Sequence, residues 1–186
     1  MTDPDLLRRI DRLESRHAIA ELISIYGIAC DDHDMPRLMS LFTPDAEFTT
    51  KSRLMHAIGP DAIEEMFIEA FKIRGPAFHW THDHIVEFDE ADTDLATGIV
   101  LSHAETTPHG EPSLAAMRYE DIYRRVDGRW LFQKRTINFL YYVPAKDYLT
   151  ALNEPMRVTV AGNRLAADYP ENLAAWQAFD RDHKDG

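Results

Sequence analysis

Two side chains far apart in the chain, His79 and Asp31, would together make a general base. A carboxylate against an imidazole fixes one ring tautomer and stabilises the cation that forms once a proton has been taken. His79 lies in Phe78-His79-Trp80, an aromatic setting at the start of a strand-like run. Asp31 closes an apolar-periodic helical segment that also carries Tyr26. A tyrosine hydroxyl placed nearby polarises a carbonyl or holds a departing oxygen. The three residues predict proton abstraction from a small organic molecule.

Other reactive side chains fit less well. Cys30 sits on the same apolar helix and reads as a structural thiol, not a nucleophile. The run His79-x-x-His82-x-His84 raises a metal, since zinc or iron takes two or three neutral imidazoles with a carboxylate. On a regular strand His82 and His84 share a face and His79 does not, and no carboxylate completes the set, so no metal is assigned. Gly-x-Gly-x-x-Gly, phosphate-loop and Gly-x-Ser-x-Gly patterns are absent, which leaves nucleotide cofactors and serine hydrolysis unsupported. No cofactor is expected.

The dyad requires a helix end and a strand start to meet. Leu6, Ile10 and Leu13, then Ile19, Leu22, Ile23 and Tyr26, recur at helical steps and predict a long helix from about Asp5 to Cys30. Ile23, Gly27 and Asp31 fall on one stripe, which turns Asp31 inward and Asp32 about 100° away. A short helix, Met35 to Phe42, is expected after Asp34, then a strand at Ala46–Thr50 and a helix from Ala62 to Lys72. Strands follow near Phe78–Phe88, Leu95–Thr106, Leu114–Arg125 and Trp130–Tyr142, with a hairpin signal at Val126-Asp127-Gly128. One more helix is expected at Asn172–Phe179. Strict alternation puts His79 on the face of Thr81, Asp83 and Glu87, opposite Val86 and Phe88. Either a bulge between Trp80 and Asp83 or a strand polar toward a cavity mouth would reconcile this.

Helices followed by strands in short-turn succession mean α+β with a curved antiparallel sheet around the long helix, enclosing an interior pocket. Length fits one core, and 45% hydrophobic residues place the chain among globular proteins. A net charge of -12 repels phosphates and anionic lipids, so nucleic acid and membrane partners are not expected. A single cysteine and the lack of a leader-like or membrane-spanning run predict a cytoplasmic protein.

Several fragments, in order, resemble the SnoaL-like branch of the nuclear transport factor 2-like superfamily. They are Arg16-His17-Ala18-Ile19-Ala20-Glu21-Leu22, Tyr26 and Asp31, Leu41-Phe42-Thr43-Pro44-Asp45-Ala46-Glu47-Phe48, Gly59-Pro60-Asp61-Ala62-Ile63 and Asp127-Gly128-Arg129-Trp130. The resemblance implies a cone-shaped α+β barrel over residues 1–145, with residues 146–186 as an extension packing on that domain or on a neighbouring subunit. Functionally it is closest to the group of scytalone dehydratase, hexachlorocyclohexane dehydrochlorinase and bile acid 7α-dehydratase, which use an Asp–His dyad. Asp31 and His79 match its two positions, at a similar separation (79 minus 31, 48 positions). Tyr26 matches the helix tyrosine of the dehydratases, and Arg135 an arginine lining the dehydrochlorinase pocket.

Where scytalone dehydratase has a second tyrosine and a second histidine, this chain offers Thr49-Thr50 and His103. Tyr119, Trp80 and Phe48 are the expected substrate contacts. The resemblance implies a cofactor-independent, dehydratase-type lyase acting on a small apolar, cyclic substrate, in a homo-oligomer with a trimer favoured over a dimer. Two other readings stay open: an isomerase or cyclase in which Asp31 is itself the base, and a non-catalytic small-molecule binder.

Overall fold

The computed structural model describes residues 3–184. Helix α1 (Pro4–Asp31) starts where the Asp3 side chain accepts a hydrogen bond from the Asp5 amide, with Pro4 in the first turn. Its second half buries Ile19, Leu22, Ile23, Tyr26, Ala29 and Cys30. The first half of the apolar stripe has no cover: Leu6, Leu7, Ile10 and Leu13 are 41–68% exposed. Periodicity alone thus places the helix without revealing that its first turns overhang the sheet.

Asp34 caps α2 (Met35–Met39) by accepting from the Arg37 amide. This helix is shorter than expected because Phe42 already belongs to β1 (Phe42–Thr50). There it joins Tyr26, Phe67 and Phe132 in an aromatic cluster. A three-residue strand β2 (His56–Ile58) precedes α3 (Pro60–Ile73). The long strands β3 (Phe78–Phe88), β4 (Leu95–Thr106), β5 (Ser113–Val126) and β6 (Arg129–Pro144) follow.

Among the described residues, eight strands form one sheet: six in the order β2-β1-β6-β5-β4-β3, a seventh pairing with β6 and an eighth pairing with the seventh. The β3–β6 meander is antiparallel, while β1 runs parallel to β6. This is the expected curved α+β cone: α1 packs against β3 and β6, and α3 against β1.

Register on β3 decides which way the dyad faces. Pairing with β4 slips between His82 and His84, and Asp83 takes a left-handed φ of 46° as the extra residue of a bulge. Upstream, His79 pairs with inward-facing Ala104; downstream, His84 pairs with buried Val100. The bulge therefore turns His79, His84 and Val86 to the same interior. Of the two ways to reconcile the alternation, this is the one found.

Gly98 on β4 lets the interior close. A Cβ there would lie 2.8 Å from Tyr123 Cε2 and 2.9 Å from the Ile85 carbonyl oxygen, and that oxygen belongs to the sheet itself. Gly98→Ala is expected to cost about 1–3 kcal/mol through overpacking, read as a lowered urea midpoint.

Beyond Pro144 the chain returns to the sheet. A 3₁₀ turn (Ala145–Asp147) and α4 (Tyr148–Ala151) lead to the hairpin β7 (Val158–Val160) and β8 (Asn163–Leu165), with β7 parallel to β6 at Tyr142–Val158. Buried Arg157 donates to the Leu140 and Tyr169 carbonyls and to Glu171, and the Tyr169 hydroxyl donates to Glu120 at 2.6 Å. The last helix, α5 (Ala174–His183), is offset toward the C-terminus from the expected span. No helix among the described residues is long and apolar enough to cross a membrane.

Candidate active site

Inside the cone is a cavity of about 350 Å³. Its floor is aromatic and buried, formed by Tyr26, Phe48, Phe67 and Tyr119. Its rim reaches solvent at Leu54 and Ile73, each about half exposed. His79 and Cys30 form one wall, and Thr50, Met117 and Tyr142 line others.

The Asp31 carboxylate grips the start of β3 with both oxygens. Oδ1 accepts from His79 Nδ1 at 2.6 Å, and Oδ2 accepts from the His79 backbone amide at 2.7 Å. The second bond orients the carboxylate independently of the ring. The first places the proton on Nδ1, so the lone pair sits on Nε2, which makes no hydrogen bond among the described residues. His79 is largely buried, its side chain 9% exposed, and it lines the cavity. A base with its free nitrogen on an apolar hollow is what proton abstraction needs. The helix and strand approach closely at Gly27, where a Cβ would lie 3.5 Å from His79 Cβ, an ordinary van der Waals contact.

Tyr26, one helical turn before Cys30, shares the cavity with His79. Burial raises its pKa well above the ordinary value, so the hydroxyl is a donor at neutral pH. Burial likewise pushes Tyr119 and Cys30 up to about 12 each. Cys30 is therefore a neutral wall group, as its apolar helix implies. The Tyr119 hydroxyl donates to Met117 Sδ at 3.7 Å.

Arg135 lies behind this wall. It is fully buried, and its Nε and Nη2 donate to the two oxygens of Asp121 at 2.9 and 2.7 Å. Burial would lower its pKa, but the charge and hydrogen bonds of Asp121 outweigh that and keep it a cation. The guanidinium carbon lies 4.2 Å from the Tyr26 ring centre and 4.3 Å from that of Tyr119. The expected pocket-lining arginine thus sits one layer back, separated from the hollow by the rings of Tyr26 and Tyr119, because its strand position points into the core beside Asp121.

Two other expectations fail on strand direction. Trp80 is 59% exposed, on the opposite face of β3 from His79, and stands outside the cavity. His103, considered as a second active-site histidine, is also on the outer face, where its Nδ1 lies 2.9 Å from His82 Nε2. The bulge separates His82 from His84 instead of leaving them side by side, and among the described residues no three metal-ligating groups converge. Thr50 reaches the cavity wall, and Phe48 and Tyr119 line the cavity. A broader depression of about 510 Å³ on the outer sheet face, walled by Ile85, Ile99 and Ile122, holds none of these groups.

Sequence reasoning missed Arg74 and the polar pair Thr106–Tyr142, whose hydroxyls are 3.0 Å apart on the wall. Arg74 stands five residues before His79, against the turn Gly75-Pro76, and that proximity was the available signal.

Comparison with known proteins places this geometry in context. The SnoaL-like domain family matches residues 11–136. Gamma-hexachlorocyclohexane dehydrochlorinase of Sphingobium indicum is 32% identical over 139 residues, 73% of this chain and 86% of that protein. Hexachlorocyclohexane dehydrochlorinase 1 from the same species is 30% identical over 73% of this chain and 88% of its own length. The crystal structure of LinA superposes with a TM-score of 0.68 at 26% identity, covering 86% of this chain and 98% of the other. A scytalone dehydratase-like structure from Novosphingobium aromaticivorans gives a TM-score of 0.70 at 18% identity, over 89% and 99%, a likeness of fold.

Proposed function

The chain belongs to the SnoaL-like domain family, and on that footing we propose that it is a cofactor-independent lyase removing water from a small, apolar, cyclic substrate. Its relatives include dehydrochlorinases, enzymes of the same elimination class. The observation that carries the reading is the double contact of Asp31 with His79, which leaves Nε2 bare at an apolar cavity.

In this reading His79 Nε2 takes a proton from a carbon next to an activating group, and Asp31 stabilises the imidazolium. The new electron pair forms the double bond as the C–O bond breaks, and the proton held on His79 passes to the departing hydroxyl, which leaves as water and restores the neutral imidazole. Tyr26 donates to the departing oxygen or to a developing oxyanion. Arg135 adds positive potential from behind Tyr26, through the ring it stacks on. The cavity volume, about 350 Å³, suits a molecule of one or two rings.

The test is to incubate the protein in D₂O with hydroxylated cyclic ketones and follow both new ultraviolet absorbance and deuterium uptake at the carbon beside the carbonyl. Elimination with exchange that disappears in His79→Ala supports the lyase. Binding with neither product nor exchange would favour a carrier, and exchange that persists in His79→Ala would make Asp31 the base.

A further inference from the structure

Resting on the lyase reading, we propose that Arg74 makes the enzyme selective for an anionic substrate, a cyclic carboxylate whose charged end is held at the rim while its ring enters the hollow.

Arg74 ends α3 and lines the cavity, one residue after half-exposed Ile73. Its backbone is bridged to Pro108, so it stands beside the Thr106–Tyr142 hydroxyl pair. The chain has 32 acidic residues against 20 basic ones, so carboxylates are plentiful, yet Arg74 makes no ion pair and no side-chain hydrogen bond among the described residues. Its Nε is buried without a partner. The guanidinium is only supported from one side, its carbon 4.9 Å from the Phe71 ring centre. Arg157, by contrast, is a structural arginine, saturated by three backbone carbonyls and Glu171. A planar donor fork at a cavity rim, unpaired and with its Nε buried, matches the two oxygens of a carboxylate.

The rest of the wall does not compete for that ligand. Tyr26, Tyr119 and Cys30 are held neutral by burial, and the Asp31 charge is turned toward His79. The field of Arg74 reaches across the wall, where it is the largest influence drawing the Cys30 thiol back down. Arg74 and His79 line the same cavity, so a substrate anchored by one occupies the hollow that the other faces.

Isothermal titration of the full chain with benzoate and 2-naphthoate, each against its primary amide, tests the assignment. The unmodified protein is expected to bind the better carboxylate about tenfold more tightly than its amide, the scale of one charge-assisted contact. Arg74→Gln should erase that preference while amide binding remains measurable, which also reports that the cavity is intact. Arg74→Lys should restore part of it, and His79→Ala should keep it whole. Failure of both carboxylates to bind, equal affinity for acid and amide, or a preference that survives in Arg74→Gln would overturn the proposal. None of these readouts involves turnover, so a failed elimination assay with an intact acid preference would remove the lyase reading alone.

Discussion

Asp31→Asn is expected to leave a folded protein whose turnover falls by about 10²- to 10⁴-fold, and His79→Ala one that falls at least about 10²-fold. The asparagine retains an oxygen for the His79 backbone amide, so the junction of α1 with β3 survives. What it loses is the charge opposite the ring. Its amide group can also donate toward Nδ1, which would move the ring proton to Nε2 and remove the lone pair from the cavity. Steady-state rates on any substrate found by the elimination screen, with far-ultraviolet circular dichroism as the folding control, measure the effect. Unchanged turnover in both variants ends the assignment of the dyad as the base. If Asp31 alone were the base, His79→Ala would stay active while Asp31→Asn would not.

The second large effect is structural. Asp121→Asn removes the countercharge of a fully buried guanidinium whose remaining surroundings are aromatic rings. Breaking one side of such a pair costs about 3–5 kcal/mol, against a total stability of about 5–15 kcal/mol for a domain. The Tyr123 hydroxyl, which donates to Asp121 at 2.8 Å, is weakened in the same step. Urea unfolding should show a midpoint lowered by a large part of its value, with Asp121→Leu/Arg135→Met recovering much of the loss. A change in Asp121→Asn below about 1 kcal/mol would mean that water reaches the pair and that Arg135 is no buried anchor.

The parts of the fold that were legible in the chain are those written in repeated local signals. The strands Phe78–Phe88 and Leu95–Thr106 occur where alternation and turn residues put them, and α1 where three- and four-residue spacing does. Local signals placed Asp31 at a helix end and His79 at a strand start, and the family resemblance implied their pairing. Direction within an element was harder. The bulge residue, Asp83, has no glycine beside it to announce a left-handed backbone, although aspartate tolerates that region better than most residues. Trp80 looked like a pocket residue from its neighbour His79, but adjacent strand residues face opposite ways. The hairpin β7–β8 has strands of three residues, too short for any periodicity. Arg74 carries no pattern, and its meaning comes only from the partners it lacks in space.

The extra residue in β3 divides that strand into two segments whose phases are set separately. The segment before Asp83 carries His79 with its Asp31 contact, and the segment after it carries the packing of Val86 against the interior. Substitution can therefore drift in one half without reversing the other, and losing a single codon at the kink would turn the imidazole outward while the hydrophobic half stayed anchored. A scaffold with such a phase joint can change the face of one half-strand while keeping its core.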